Sequence, residues 1–197
     1  MSDLFATRAL LTDSFARIRE LVVEVTEDLS PGALTYQPDP EANSVGWLLW
    51  HLSRVQDDHL ADLAGRDQVW PAWRERFALP FDDFATGYGQ DPADVAAVRV
   101  GAELLAGYHA DVAELTQRYV DGLTTDELER VVDRRWDPPV TVAVRLVSVI
   151  GDCLQHLGQA AYLRGLAERA GVRWVTWTFA ISETQGSRSR RSPTATG

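Results

Sequence analysis

The sequence predicts an all-α protein: a four-helix bundle with long crossover connections and a C-terminal tail without regular structure. Three observations predict it. Four long stretches repeat apolar residues at three- and four-residue steps, no convincing period-two series marks a sheet, and recognisable start and stop signals bound each stretch. At 197 residues and 45% hydrophobic content, the chain can bury one ordinary core. The bundle is expected over residues 1–181 and the disordered tail over 182–197.

The first helix is predicted from about Asp3 to Leu29, with Leu11, Phe15, Ile18, Val22, Val25 and Leu29 on one stripe, and Ser30-Pro31-Gly32 stops it. The proline-rich run Tyr36–Ala42 reads as loop. Asn43 or Ser44 caps the second helix, which carries Trp47, His51, Val55, His59 and Leu63 to the break at Gly65. Residues 66–90 are irregular and aromatic, a connection long enough to be either a satellite core or the wall of a pocket. Asp91-Pro92-Ala93-Asp94 is a capped helix start, and the third helix is expected to run unbroken to about Val120. Thr124 caps a short helix, 134–139 is an extended link, and the last helix spans about Val140–Ala170 before Gly171. Arg173–Phe179 alternates as a short strand or extended arm.

Composition excludes several classes. The formal net charge of −10 argues against nucleic acid as a partner, because a phosphate backbone would be repelled. The local exception is Ser187–Pro193, whose Ser/Arg/Pro content reads as disordered tail. No apolar run approaches the roughly 18 residues needed to cross a bilayer, so no membrane is expected. The N-terminus lacks the basic and apolar regions of a signal peptide. A single cysteine, Cys153, rules out an internal disulfide and fits a reducing cytoplasm.

The chemistry-bearing residues lie on the second and fourth long helices. Asp152 and His156 are four apart, hence about 40° apart around a helix and roughly 6 Å along it, on one face. That pair can chelate a divalent ion. Two ligands do not make a tight site, and the best third candidate is His51. Alternatives stand beside this reading: His51 as a core histidine satisfied by one hydrogen bond, and Asp152, on the apolar stretch Val144-Val147-Ile150-Leu154-Leu157, as the salt-bridge partner of Arg145. Cys153 points about 100° from Asp152 and reads as core. His59 and Asp58 are too far along the helix to share an ion and are candidates for outer support of the site. His109 is read as structural, and nothing selects among Arg54, Arg99 and Arg164 as contacts for a ligand carboxylate.

Trp47-Leu48-Leu49-Trp50-His51, the later stretch Asp152–Gln159 with its His156-Leu157-Gly158-Gln159, and Tyr162-Leu163-Arg164-Gly165 together resemble the DinB-like superfamily of metal-binding four-helix bundles, over roughly residues 1–170. The closer likeness is to its actinobacterial, mycothiol-dependent branch, the mycothiol S-transferases and maleylpyruvate isomerases. That branch has an acid where Asp152 stands, and Arg54–His59 also resembles the S-transferase group. The absence of lysine fits a high-GC genome of that kind.

The resemblance implies His51, Asp152 and His156 as metal ligands, with zinc first and nickel, manganese or iron admitted by the same donors. It implies mycothiol as thiol cosubstrate, deprotonated at the metal and attacking a small electrophile in a detoxifying transfer. Trp47, Trp70 and Trp73 are candidate substrate contacts. Alternatives are a non-catalytic metal or small-molecule binder, an isomerase, and a metal-free interaction module whose Trp-rich face makes a homodimer. The isomerases carry a further C-terminal domain, for which about 27 residues after Ala170 are too few.

Overall fold

The structure, a computed structural model, describes residues 3–172. The arm expected at 173–181 and the tail at 182–197 lie outside the described residues.

Four long helices make the bundle: α1 (Asp3–Thr26), α3 (Val45–Ala64), α6 (Ala102–Gly122) and α8 (Val142–Arg169). Between them lie the short α2 (Pro31–Leu34), α4 (Arg74–Phe77), α5 (Pro92–Ala97) and α7 (Thr125–Glu129). A two-stranded antiparallel ladder, β1 (Val131–Asp133) with β2 (Val140–Thr141), closes the 121–139 connection. The sequence reading saw no strand there, and three residues are too few for a period to register. Extensive packing joins α3 to α8 and α6, and α1 to α6 and α8. Consecutive long helices α1 and α3 therefore sit on one diagonal and α6 and α8 on the other, so that 27–44 and 121–139 cross the bundle, whereas 66–90, expected as a possible crossover, joins neighbours. No helix among the described residues is long and apolar enough to cross a membrane.

Local chemistry explains most boundaries. Ser44, Thr124 and Thr141 each accept a backbone N–H of the first turn that follows, filling donors a helix cannot fill itself. Gly65 ends α3 at φ 59°, the left-handed conformation glycine adopts without strain. Helix α1 stops three residues before the expected Leu29, because Asp28 turns left-handed at φ 52°. The third helix is not continuous either: α5 ends at Ala97 and α6 restarts after Gly101, whose extended backbone is its N-cap. Glycine and the β-branched Val98 and Val100 disfavour helix at that point.

The core faces of the helices differ in one respect from the expected ones. The buried stripe of α8 is Val142, Leu146, Val149, Cys153, Leu157, Ala160, Leu163 and Ala167. Val144, Val147 and Leu154, expected beside Asp152 inside, are exposed; Asp152 thus stands on a flank of the helix, not in its apolar face. The Trp-rich face proposed for a dimer is interior, since Trp47, Trp50, Trp70 and Trp73 are all buried.

Irregular residues 66–90 are stapled to α3 by buried polar groups. The Asp57 carboxylate accepts Val69 N–H (2.9 Å), Trp70 N–H (2.8 Å) and the Tyr108 hydroxyl (2.8 Å). Arg54, fully buried, donates to Gln68, Tyr108 and the Ala85 carbonyl. A ring cluster of Trp50, Trp70, Phe77, Phe81 and Tyr108 fills the space beneath.

His109 is structural, as expected. Its Nδ1–H donates to Ser53 Oγ at 3.1 Å, while Ser53 donates onward to Leu49 O; Nε2 is buried without a partner. Burial pushes its pKa down from 6.5 to about 4. Below about pH 6.5 the unfolded chain binds a proton that the folded chain refuses until near pH 4, so stability falls as pH falls through that window. Urea unfolding from pH 7 to pH 4 is expected to show about 3 kcal/mol less loss for His109→Gln than for the wild type. Parallel stability profiles would contradict the assignment.

Candidate metal centre

Trp47, His51 and Arg54 occupy one flank of α3 at four- and three-residue steps. Residues 85–90 run antiparallel along that flank, each turn of helix holding the loop once. Arg54 Nε–H donates to Ala85 O (3.0 Å), His51 Nδ1–H to Thr86 O (2.5 Å) and Trp47 Nε1–H to Gln90 Oε1 (2.7 Å). Gly87 makes the approach possible. Its φ of 105° is one that glycine alone adopts readily, and a β-carbon there would overlap Nδ1 of His51. Trp47 stacks on the imidazole with centroids 4.7 Å apart, and Tyr88 meets it edge-on at 5.3 Å.

This packing chooses the tautomer of His51. With the Thr86 carbonyl taking the Nδ1 proton, the lone pair is on Nε2. On α8, His156 Nδ1–H donates to Gln159 Oε1 at 3.2 Å, so its lone pair is also on Nε2. That nitrogen lies 3.6 Å from Asp152 Oδ1, beyond hydrogen-bond length. The other carboxylate oxygen, Oδ2, is buried and has no hydrogen-bond partner. His51, Asp152 and His156 each offer one ligand-type atom, and the three atoms lie within 4.8 Å of one another.

Three Lewis bases aimed at one point repel each other unless a cation or a proton lies between them. Burial lowers the His51 pKa, and His156 lowers it further, while the Thr86 carbonyl and Asp152 oppose the shift. The Asp152 carboxylate raises that of His156. His51 is thereby kept neutral, and His156 is the member that exchanges a proton for another cation. Two imidazole nitrogens, one carboxylate and an orphaned buried oxygen fit a divalent ion with coordination positions to spare. Both imidazoles already carry the outer hydrogen bond that metal-ligating histidines use for orientation.

Other expected site residues lie elsewhere. Trp70 packs against Trp50, Phe77 and Tyr108, and Trp73 donates to Asp111 and rests on Gly107. Neither touches the trio, because the aromatic connection turns those rings into the satellite core; only Trp47 of the three tryptophans flanks the site. His59 accepts from Arg145, and Asp58 accepts from Gln68, so neither bonds a trio residue. Arg145 is not the partner of Asp152. Cys153 is buried with its thiol facing Leu52 O and Gln56 Oε1, and burial pushes its pKa up.

Tyr88 and Gly87 belong to the aromatic connection that the sequence offered as a pocket wall, whereas nothing in the sequence marks Thr86 or Gln90. A backbone carbonyl has no signature there, although the Gly87 and Gly89 pair marks a loop that bends sharply. Gln159, three residues after His156, was legible as a helical neighbour. Gly87→Ala is expected to leave the helical circular-dichroism signal intact and to weaken zinc binding roughly 10–100-fold in chelator competition, through misorientation of His51. Unchanged zinc affinity would show that the loop does not orient the ligand.

No curated protein matches the chain significantly. A crystal structure of a conserved protein from Enterococcus faecalis is similar, with a TM-score of 0.76 and 35% identity over 82% of this chain and 96% of that one. The family described as mycothiol-S-transferase matches residues 10–169. With four long helices in the DinB-like arrangement and a match spanning most of its length, the chain belongs to the mycothiol S-transferase family.

Proposed function

We propose that the protein is a metal-dependent S-transferase that joins mycothiol to a small electrophile, with His51, Asp152 and His156 holding the ion. The observation that carries this reading is the convergence of three ligand-type atoms within 4.8 Å around a buried carboxylate oxygen that no protein donor satisfies. Membership of the family supplies the thiol. Zinc suits two imidazoles and one carboxylate best, and nickel, manganese and iron share the donor preference.

When bound, the ion lowers the pKa of a thiol placed beside it, so that thiolate is the form present at neutral pH. The chain's own residues do the rest. His51, kept neutral by burial and held at Nδ1 by Thr86, presents a fixed lone pair. Trp47 and Tyr88 wall the imidazole on two sides, and Tyr88 is 67% exposed, so the electrophile meets the site from solvent across that ring. In the transfer an S–C bond forms, the bond from that carbon to its leaving group breaks, and the thiol proton leaves to solvent.

Conjugation of mycothiol to 1-chloro-2,4-dinitrobenzene is followed by absorbance. Removal of metal by chelation is expected to return the rate to background and zinc to restore it. His51→Ala and His156→Ala are each expected to lose roughly a hundredfold or more in kcat/KM together with bound metal. Activity that survives both substitutions with metal content unchanged would refute the assignment.

A further inference from the structure

The arginines that could receive a substrate anion are separated by their partners. Arg54 is buried beneath the loop. Arg99 donates to the Ala96 carbonyl, and Arg164 to the Glu24 and Val25 carbonyls at the end of α1. Arg145 differs. Its hydrogen bond is from Nη1 to His59 Nδ1 at 3.0 Å, and its nearest carboxylate, Asp133, is 3.9 Å away. Asp133 is itself engaged by the guanidinium and backbone N–H of Arg135. Among the described residues, Arg145 makes one hydrogen bond and one long ion pair, which leaves guanidinium N–H groups for a further acceptor.

Its position is set by the same two helices that carry the trio. Arg145 precedes Asp152 by seven residues on α8, two turns or about 10 Å, and His59 follows His51 by eight on α3, about 12 Å. The α3/α8 pair thus has a second polar rung below the first. Because His59 accepts at Nδ1, its proton is on Nε2; among the described residues that nitrogen has no hydrogen-bond partner, and it is not sealed from solvent. Arginine and imidazole together present N–H groups only. Of the acids that act on His59, Asp58 is occupied by Gln68, Asp62 is solvent-exposed, and Asp152 belongs to the trio. Tyr88 meets His51 edge-on, and its hydroxyl pKa is raised by burial first and then by the Asp152 charge, with Arg145 opposing.

We propose that Arg145, with the His59 Nε2–H beside it, receives a carboxylate of the electrophile whose reactive carbon lies at the His51–Asp152–His156 trio. The substrate class is an electrophile that carries an anionic group on the side of the attacked carbon facing this second rung. This rests on the thiol-transfer reading, and deepens it by naming a specificity-determining residue.

The test compares 4-chloro-3-nitrobenzoate with 4-chloro-3-nitrobenzamide as electrophiles, on the zinc-loaded full chain with saturating mycothiol. Alongside, binding of the unreactive 3-nitrobenzoate and 3-nitrobenzamide is measured by calorimetry. The wild type is expected to favour each carboxylate by roughly tenfold or more. Arg145→Gln is expected to erase that preference by raising KM for the benzoate, with amide kinetics unchanged, and Arg145→Lys to restore part of it. Equal handling of acid and amide by the wild type overturns the proposal, as does a parallel loss for both in Arg145→Gln, which marks a structural role. If neither chloro compound is turned over, the transferase reading fails, and the binding arm alone decides: a carboxylate preference lost in Arg145→Gln sustains the anion site, and no preference overturns it. Should Arg145→Gln not fold, the wild-type ratio and Arg145→Lys give the same decision.

Discussion

The hydrogen bond from His51 Nδ1–H to the Thr86 carbonyl is the constraint from which the rest of the site follows. It fixes which nitrogen has a lone pair, and a histidine with the other tautomer would point a proton at Asp152 and His156. Trp47 and Tyr88 leave the ring little freedom to turn, and Gly87 lets the loop backbone come close enough for the bond to form. Orientation of His51 on α3 is thus delegated to a loop far from it in sequence.

That loop needs its own anchorage, which explains why so many charged and polar groups are buried beneath it. Arg54 and Asp57 are both fully enclosed, and charges without partners there would be costly. Asp57 meets that demand with Val69 N–H, Trp70 N–H, the Tyr108 hydroxyl and an ion pair to Arg54 Nη1 at 3.4 Å, although burial still raises its pKa. Arg54 spans Ala85, Gln68 and Tyr108, leaving Nη2 unpartnered. The network joins α3, α6 and the aromatic connection into one unit, so the position of the Thr86 carbonyl is tied to the packing of Tyr108 and Trp70. Rigidity of this kind suits a site whose geometry must exist before a ligand arrives.

The bundle was legible from the apolar periods of α1, α3, α6 and α8, which depend on burial and survive small errors in boundary. Asp152 and His156 were legible as a pair because helical spacing alone makes them neighbours. His51 could be proposed but not placed, since its approach to α8 is a tertiary fact. One boundary and one face differ for different reasons: the break at Gly101 follows from local propensity in a helix that looked continuous, whereas the apolar Val144, Val147 and Leu154 face outward because packing buries another stripe of α8. The aromatic connection reads in sequence as either core or pocket wall, and the structure divides it between packed rings and a stretch that runs along the trio. Trp70 and Trp73 are core, whereas 85–90 borders the site. Arg145 had looked like a partner for Asp152 in sequence, yet its side chain turns to His59, seven residues' worth of helix away from that role.

Anomalous scattering from zinc-loaded crystals, measured at the zinc edge, locates the ion. One ion per chain is expected, bound by Nε2 of His51, Nε2 of His156 and the Asp152 carboxylate at about 2.0–2.2 Å, with His51 Nδ1 still on the Thr86 carbonyl. An ion that occupies another position, or that is reached through Nδ1 of His51 after the loop has moved away, would contradict this ligand set.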